Sequence, residues 1–322
     1  MALAAAPVST QRALLGLGAG LAAAGFIHLN GVQPGKMPLL AIGLAMGLAL
    51  YHAAFGFTGA YRRAIVDKDS SGIVAQAVML GLAMALFAPV LAAGEAFGRP
   101  AGGAAAPVSL SMAFGAFIFG VGMQLGGGCA SGTLFTAGGG SPRMAVVLAF
   151  FCLGGFAATF HLDWWRALPG IGSVSLATEF GWPAALALQG LLLAAIIAVC
   201  HGLGARPRQP WGFEGGFRPA MLARGPWPML LGAVALAVLN WLTLVNAGHP
   251  WSITWGFTLW AAKAAAFLGW DPAASAFWAS GFPARALARP LAADTTSVMN
   301  LGIILGAFAA AALAGRLWPA FR

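Results

Sequence analysis

Long runs of apolar residues, each about the length of a membrane-spanning helix, recur along the whole chain. Crossing the hydrocarbon core of a bilayer takes roughly 20 consecutive apolar residues. Only 8% of the 322 residues are charged, whereas a soluble domain carries roughly a quarter. We therefore predict an all-α, polytopic integral membrane protein. The runs that meet this length are about 13–33, 37–55, 72–94, 143–161, 183–201, 228–247 and 297–316.

Two further apolar runs are shorter, and each adjoins residues that interrupt a helix. The run 111–126 leads into glycines followed by Cys129, and the run 252–268 follows His249 and Pro250. Backbone that is not helical survives at membrane depth only where protein buries it or where it lines a cavity. We expect discontinuous helices at both places, which makes both candidates for a transport path.

The basic residues before the second half of the chain are unevenly divided between the loops. If each run, including 111–126, crosses once, nine Lys and Arg residues lie on one side and three on the other. Because basic residues concentrate in cytoplasmic loops, this bias places the N-terminus in the cytoplasm. The nine are Arg12, Arg62, Arg63, Lys68, Arg143, Arg206, Arg208, Arg218 and Arg224, and the three are Lys36, Arg99 and Arg166.

The formal net charge of +9 does not indicate a nucleic-acid partner. The basic residues lie in short loops, and no basic helix interleaved with stacking aromatic residues is present. The three cysteines, Cys129, Cys152 and Cys200, form no C-x-x-C pair, so neither a disulfide framework nor a metal site is indicated. We predict no cofactor.

A basic linker divides the chain into two membrane halves. Residues 202–227 form the longest polar connection and contain four arginines, two consecutive glycines and four prolines. We predict an N-terminal membrane half of 1–201, this linker on the cytoplasmic side, and a C-terminal membrane half of 228–322.

The two halves resemble each other in the order of their elements. An apolar helix followed by a short motif occurs at 37–71 and again at 229–268, and a long apolar helix then follows in each half. The predicted topology orients the two copies oppositely, and such an inverted repeat places the substrate site of a transporter near the membrane midplane. The first repeat continues to about residue 161, whereas the chain ends at Arg322. We expect a truncated second repeat, with an asymmetric variant as the alternative.

The segment 122–133 carries the strongest indication of function. Its three successive glycines can leave a helix at little steric cost, and a helix that begins again at Ser131 would present unpaired N–H groups. Cys129 stands at this break, where a soft thiol suits a polarisable anion that ends in sulfur. Nothing in the segment is a fixed cation, so we expect weak, releasable binding. The predicted substrate-binding residues are Cys129, Gly127, Gly128, Ser131, Thr133 and Gln124, with Trp251 and Thr254 from the second half.

A structural interpretation of the same segment stays open. Glycine-rich segments in membranes also form close helix crossings, in which Cys129 would be a buried, inert thiol. Cys152 and Cys200 lie inside apolar helices away from any break, and we expect both to be small buried hydrophobic side chains.

Several polar residues lie within or beside the apolar runs. We expect His52 to be an interior polar residue, and Arg62 and Arg63 to anchor the membrane interface. Lys263 is a basic residue within a short apolar run of the second half. It is either a functional residue or one whose long side chain reaches the interface.

The residues 127–135, Gly-Gly-Cys-Ala-Ser-Gly-Thr-Leu-Phe, closely resemble the signature of the YeeE/YedE sulfur-transport family. The segments 55–62, 250–258 and 300–307 also look like motifs of that family, so the similarity runs over roughly 37–316. The resemblance implies an inverted-repeat fold of long and short helices around a narrow path, along which cysteines pass thiosulfate by thiol-to-sulfur contacts.

This chain departs from the family pattern in its cysteines. Family members with the thiosulfate relay usually have a cysteine at the position of Gly56 and another in a second Gly-Gly-Cys segment, which is absent here. Only Cys129 is carried over. A relay through three cysteines is therefore not available in this chain.

We therefore expect a multi-pass protein of the cytoplasmic membrane that takes up a small sulfur-containing anion, foremost thiosulfate, through a narrow path lined by Cys129. We do not expect an enzyme, because a nucleophile needs a base within hydrogen-bond reach and no histidine lies in 111–140. The alternatives are a selenium-compound transporter, a sulfurtransferase-like membrane thiol enzyme and an inactive truncated family member. A cytoplasmic sulfur-handling protein is a candidate partner.

Overall fold

The computed structural model describes residues 11–317. It is 74% helical, and eight of its helical stretches are long and apolar enough to cross a membrane. The prediction of an all-α polytopic membrane protein is confirmed. The outermost residues of the two predicted halves, 1–10 and 318–322, lie outside the described part of the chain.

The helices fall into two groups on either side of the linker. Those before it are α1 (Arg12–Val32), α2 (Met37–His52), α3 (Phe57–Arg62), α4 (Ser71–Ala93), α5 (Leu110–Gly126), α6 (Ala130–Gly138), α7 (Pro142–Ala158), α8 (Leu162–Arg166) and α9 (Leu176–Gly202). Those within and after it are α10 (Ala220–Arg224), α11 (Met229–Ala247), α12 (Ile253–Phe267), α13 (Ala276–Ala279), α14 (Gly281–Ala288) and α15 (Thr295–Leu313). Two short antiparallel ribbons pair β1 (Glu95–Ala96) with β2 (Arg99–Pro100) and β3 (Pro107–Ser109) with β4 (Gly170–Ser173).

Helix α9 begins earlier than the apolar run 183–201 predicted. It consists of two helical pieces that meet at Gly181, where φ is +77° and the backbone is not helical. Pro183 lies just after this kink and suits the first turn of the second piece. The hydropathy pattern therefore located the second piece and missed the first.

Glycines bring α2 and α15 into backbone contact at the centre of the fold. A Cβ atom on Gly47 would lie 2.2 Å from the carbonyl oxygen of Ile303, and one on Gly306 would lie 2.0 Å from that of Leu44. Because lipid removes the hydrophobic drive between helices, such close crossings stabilise a membrane fold through van der Waals contact. The fully buried Met299 belongs to the core around this crossing.

The long helices pack in a two-fold pattern. Helix α2 packs on α15, α11 packs on α4, and α2 and α11 pack on each other. Exchanging α2 with α11 and α4 with α15 leaves this set of contacts unchanged. These are the helices that occupy the same places in the order of elements of the two halves. The short helices follow it, since α3 packs on α4 and α12 packs on α15. The pattern agrees with an inverted repeat, whose exact limits stay a prediction.

Buried amide side chains tether both short helices in equivalent ways. Gln76 of α4 points its Nε2 at the carbonyl oxygen of Gly56, the N-cap of α3, at 3.5 Å. Asn300 of α15 donates from Nδ2 to the carbonyl oxygen of Ile253, the first residue of α12, at 2.9 Å. In each half the long helix thus fixes the start of the short helix that precedes it.

The linker is attached to the start of α4 through Asp69. This buried carboxylate accepts hydrogen bonds from the N–H and hydroxyl of Ser71, from the N–H of Arg208 and from the side-chain amide of Gln209. Asp69 also forms a parallel β-bridge with Arg206. The first residues of the linker therefore run alongside the chain that leads into α4.

We expect Asp69→Asn to release the linker. Burial raises the pKa of Asp69, but hydrogen bonds from Ser71 and Arg208 and the charge of Arg63 outweigh it, so the pKa lies below its ordinary value. The stabilisation is therefore complete above the ordinary pKa of about 4 and lost as pH falls through the lower, folded-state pKa.

At pH 7 the loss of these charge-assisted hydrogen bonds should cost about 1.5–3 kcal/mol. Trypsin does not cut the Arg206–Pro207 bond, but it should then cut the variant faster after Arg208 than it cuts the wild-type protein. The exposed Asp67 provides a control two residues away, and Asp67→Asn should leave cleavage unchanged. Equal cleavage of the two variants would contradict the role assigned to Asp69.

Candidate functional site

The helix break predicted after residue 126 is present. Helix α5 ends at Gly126, and Gly127 has a φ of +81°, in the left-handed region that glycine adopts without steric cost. Helix α6 begins at Ala130 with Cys129 as its N-cap. The expected start at Ser131 is therefore wrong by one residue, because the thiol itself caps the helix.

The Cys129 thiol is enclosed by protein and bonded locally. The residue is 8% exposed. Its Sγ atom accepts the N–H of Gly132 at 3.4 Å and lies 3.5 Å from the hydroxyl of Ser131. A sulfur lone pair thus takes the place of the oxygen that usually accepts at an N-cap, and the S–H stays able to donate a weak hydrogen bond.

A cation lies at the edge of this site, contrary to expectation. A Cβ atom on Gly127 would lie 3.3 Å from Nη2 of Arg143, near the start of α7. Arg143 is exposed, so solvent screens part of its charge. The sequence did not indicate this contact because Arg143 reaches back over sixteen residues to the break.

One hydrogen bond joins the first motif to the end of α5, next to Cys129. Nε2 of Gln124, at the end of α5, lies 3.5 Å from the carbonyl oxygen of Thr58 in α3. Tyr61 of the same helix lies within electrostatic range of Cys129. Thr58 and Tyr61 are three residues apart on one helix and therefore share a face. This face of α3 and the break between α5 and α6 form one site, which we name the Cys129 site.

Two buried hydroxyls of the Cys129 site have no hydrogen-bond partner among the described residues. Thr133 is fully buried and Thr58 is 7% exposed, and neither Oγ1 atom is bonded. Thr243 of α11, equally buried, donates to the carbonyl oxygen of Leu239 in the usual helical way. An unpartnered buried hydroxyl costs about 1–3 kcal/mol, so these two groups mark a place where a ligand can complete their hydrogen bonds.

The predicted residues of the second half make no polar contact with Cys129, although Trp251 packs on the same hydrophobic core as Ala130 and Leu134 of α6. Nε1 of Trp251 donates to Oδ1 of the fully buried Asn300 at 3.2 Å. Thr254 is exposed near the start of α12. In residues 11–317 no hydrogen bond or ring contact joins Trp251 or Thr254 to Cys129. The structure brings together Gly127, Gly128, Ser131, Thr133 and Gln124 around Cys129, and a role for Trp251 and Thr254 stays a prediction.

Two cavities of about 500 Å³ each lie at opposite ends of α2, whose 16 residues span about 24 Å. The sequence predicted neither. The Lys36 cavity lies at the start of α2, and its polar and aromatic lining includes Lys36, His249, Trp255, Asp294, Thr295 and Thr296. The His52 cavity lies at the end of α2, beside the linker, and its lining includes His52, Arg63, Gln209, Glu214 and Trp227.

Cations beyond the linker could have indicated the Lys36 cavity. Arg285 and Arg289 line a smaller cavity that shares Phe282, Ala293 and Asp294 with it. Both arginines lie after the linker and are not among the nine and three basic residues compared above. The end of the fold that carries Lys36 is therefore richer in positive charge than the sequence comparison indicated.

Lys263 lines neither of these two cavities. Its ammonium group donates to the carbonyl oxygens of Leu287 and Arg289 at 2.7 and 2.6 Å. It therefore fastens the end of α14 to α12, a structural role that neither sequence interpretation foresaw. Cys152 and Cys200 are half-buried rather than buried as expected, because α7 and α9 each turn much of their surface outward.

Comparisons with known proteins agree with the sequence resemblance. A family model described as sulphur transport matches residues 52–322. The thiosulfate transporter TsuA of Spirochaeta thermophila is 30% identical over 142 residues, which cover 44% of this chain and 42% of that protein. The chain thus spans less than half the length of this curated relative. The match to the family model covers most of the sequence, and this multi-pass membrane protein belongs to the sulphur transport family.

Proposed function

We propose that the protein carries thiosulfate, or a closely similar sulfur-containing anion, across the cytoplasmic membrane. The observation that carries the proposal is the Cys129 site, which combines a capping thiol with two buried hydroxyls, those of Thr58 and Thr133, that have no partners among the described residues. Membership of the sulphur transport family and similarity to a thiosulfate transporter support the choice of substrate.

The chemistry of the site suits an anion with one soft end and one hard end. Thiosulfate carries a terminal sulfur atom and three oxygen atoms. The terminal sulfur can meet the thiol of Cys129, a soft and weak hydrogen-bonding group. The oxygens can accept from the hydroxyls of Thr58 and Thr133, which have no partners otherwise. These hydroxyl and thiol groups are neutral, and solvent screens the exposed Arg143 at the edge of the site, so binding stays weak enough for release, as conduction requires.

The two ends of α2 supply the entrance and the exit in this proposal. The end that carries the basic linker faces the cytoplasm, in line with the excess of basic residues in its loops, and the Lys36 cavity faces outward. Because Cys129 is 8% exposed, passage requires α3 to separate from the segment between α5 and α6. A cytoplasmic sulfur-handling protein would then receive the anion at the linker face.

A thiol enzyme fits the geometry less well. A cysteine nucleophile needs a base within hydrogen-bond reach. The hydrogen-bond partners of Cys129 are the N–H of Gly132 and the hydroxyl of Ser131, neither of which is a base at neutral pH. We therefore propose transport without chemical conversion. Competition by selenium analogues in the uptake assay distinguishes a sulfur carrier from a selenium carrier.

Replacing Thr133 by valine tests the site with little change of shape. Removing an unpartnered buried hydroxyl relieves a cost of about 1–3 kcal/mol, so the variant should melt at the same temperature or higher. Uptake of radiolabelled thiosulfate should nevertheless fall about tenfold, the equivalent of about 1.4 kcal/mol of lost binding.

The matched control is Thr243→Val, at an equally buried threonine outside the site. This variant loses a helical hydrogen bond and should transport normally. If Thr133→Val took up thiosulfate at the wild-type rate, the Thr133 hydroxyl would have no part in the path.

A further inference from the structure

The His52 cavity is built by the linker where it returns to the membrane half. The N–H of Trp227 donates to the carbonyl oxygen of His52 at 2.9 Å, and the two rings lie 5.7 Å apart. Gln209, which is tied to Asp69 at the start of the linker, lines the same cavity. Both ends of the linker therefore close around one space of about 500 Å³.

Two polar side chains that line this cavity have buried nitrogen atoms without a hydrogen-bond partner in residues 11–317. They are Nε2 of His52, a residue that is 4% exposed, and Nε of Arg63. Polar atoms buried in a fold are almost always paired. Two unpaired donors or acceptors in the lining of one cavity therefore indicate a ligand that pairs with them.

Arg63 also lacks a carboxylate partner. Within residues 11–317 the one ion pair closer than 4.0 Å joins Arg166 to Asp163, so no carboxylate is paired with Arg63. Asp69 lies close enough for the charge of Arg63 to lower its pKa. Its oxygens, however, already accept hydrogen bonds from Ser71 and from the linker. A half-buried guanidinium that has no carboxylate partner is well suited to bind an anion.

We propose that the His52 cavity is a second anion site, which binds a small divalent oxyanion of the size of sulfate or thiosulfate. The guanidinium of Arg63 can donate two parallel hydrogen bonds to such an anion, and the side-chain amide of Gln209 adds a donor. Glu214 also lines the cavity but is exposed, and it faces Arg218 and Arg224 in an adjoining cavity.

The adjacent residues Arg62 and Arg63 differ in their surroundings, so only Arg63 is assigned to the anion site. We expected both Arg62 and Arg63 to anchor the interface, but only Arg62 is exposed, and Arg63 lies in the cavity lining. Helix α3 ends between them, so Tyr61 at the Cys129 site lies two residues from Arg63. Resting on the proposed transport function, the His52 cavity is then the next binding position for an anion that has passed Cys129.

Binding to full-length protein in lipid nanodiscs, which expose both faces, tests this site. In a Cys129→Ala background, which weakens the first site, radiolabelled thiosulfate and sulfate should still bind saturably. Adding Arg63→Gln should weaken that binding at least about tenfold, as expected for loss of charge-assisted hydrogen bonds. Adding Arg62→Gln should leave it unchanged. Equal binding with and without Arg63→Gln, or no saturable binding at all, would overturn the proposal.

A second measurement uses the wild-type protein and so does not depend on how the variants fold. Phenylglyoxal modifies accessible guanidinium groups, and mass spectrometry locates the modified residues. Thiosulfate and sulfate should protect Arg63 and leave Arg62 unprotected, whereas equal protection of the two would refute the site. Arg63-dependent binding in a protein that fails to transport thiosulfate would uphold this site and reject the proposed function. Transport of thiosulfate without protection of Arg63 would uphold the proposed function and reject this site.

Discussion

Replacing Cys129 by alanine is expected to abolish thiosulfate uptake and to leave the protein inserted in the membrane. The thiol meets the terminal sulfur of the substrate in the proposed path, and alanine offers no such contact. Loss of the N-cap of α6 costs about 1 kcal/mol, too little to unfold a core that includes the α2–α15 crossing. Uptake by cells and the amount of membrane-inserted protein are the two measurements.

Three further variants show whether the loss of uptake is specific to the sulfur of Cys129. Cys129→Ser keeps a capping oxygen and a hydrogen-bond donor, so uptake that stays low in this variant would identify the soft sulfur as the required feature. Cys152→Ala and Cys200→Ala, at half-buried cysteines of α7 and α9, should transport normally. Full uptake by Cys129→Ala would remove the site, and loss of uptake in either of the other alanine variants would reveal a relay.

Gly306→Val is expected to prevent the assembly of the fold. A Cβ atom at this position would lie 2.0 Å from the carbonyl oxygen of Leu44, and backbone cannot move aside as a flexible side chain can. Overpacking a core usually costs about 1–3 kcal/mol, and a clash of two helix backbones belongs at or above that range. The yield of monodisperse protein from membranes should fall to near zero.

Gly115→Val provides the matched control for this variant. Gly115 also lies within an apolar helix, α5, but a Cβ atom there would meet nothing within 4 Å. This variant should be produced and should melt close to the wild-type temperature. Similar yields of the two variants would show that α2 and α15 can separate without loss of the fold.

The membrane fold could be predicted because a bilayer demands long apolar helices, and the apolar runs gave their positions. The break at Gly127 was also predictable, since three glycines in succession leave a helix easily. The capping role of Cys129 was not, because N-caps are usually oxygen-bearing residues and the choice depends on backbone angles. The start of α9 was missed for a similar reason, because the kink at Gly181 depends on its backbone angles.

The partners of Cys129 could not be read from spacing. Thr58 and Tyr61 precede it by more than sixty residues, and only the contact between α3 and the end of α5 brings them near it. The resemblance to a transport family singled out both motifs without saying how they meet. The His52 cavity was equally hidden, because it depends on Trp227 returning to the end of α2.

The two cavities correspond under the two-fold exchange of helices. His52 ends α2 at one cavity, and His249 follows α11 at the other. Asp69 precedes α4 beside the linker, and Asp294 caps α15 by accepting the N–H of Ser297. Mirrored polar cavities at the two ends of the fold, with the Cys129 site reached from α3, are the arrangement expected of a transporter built from inverted repeats.

The most direct test of the proposed path is uptake of radiolabelled thiosulfate by proteoliposomes that contain the purified protein as their sole protein. We predict that intact thiosulfate accumulates inside the vesicles and that accumulation is lost when Cys129 is replaced by alanine. Accumulation no greater than in protein-free vesicles, or release of cleaved sulfur products without accumulation, would contradict transport past Cys129.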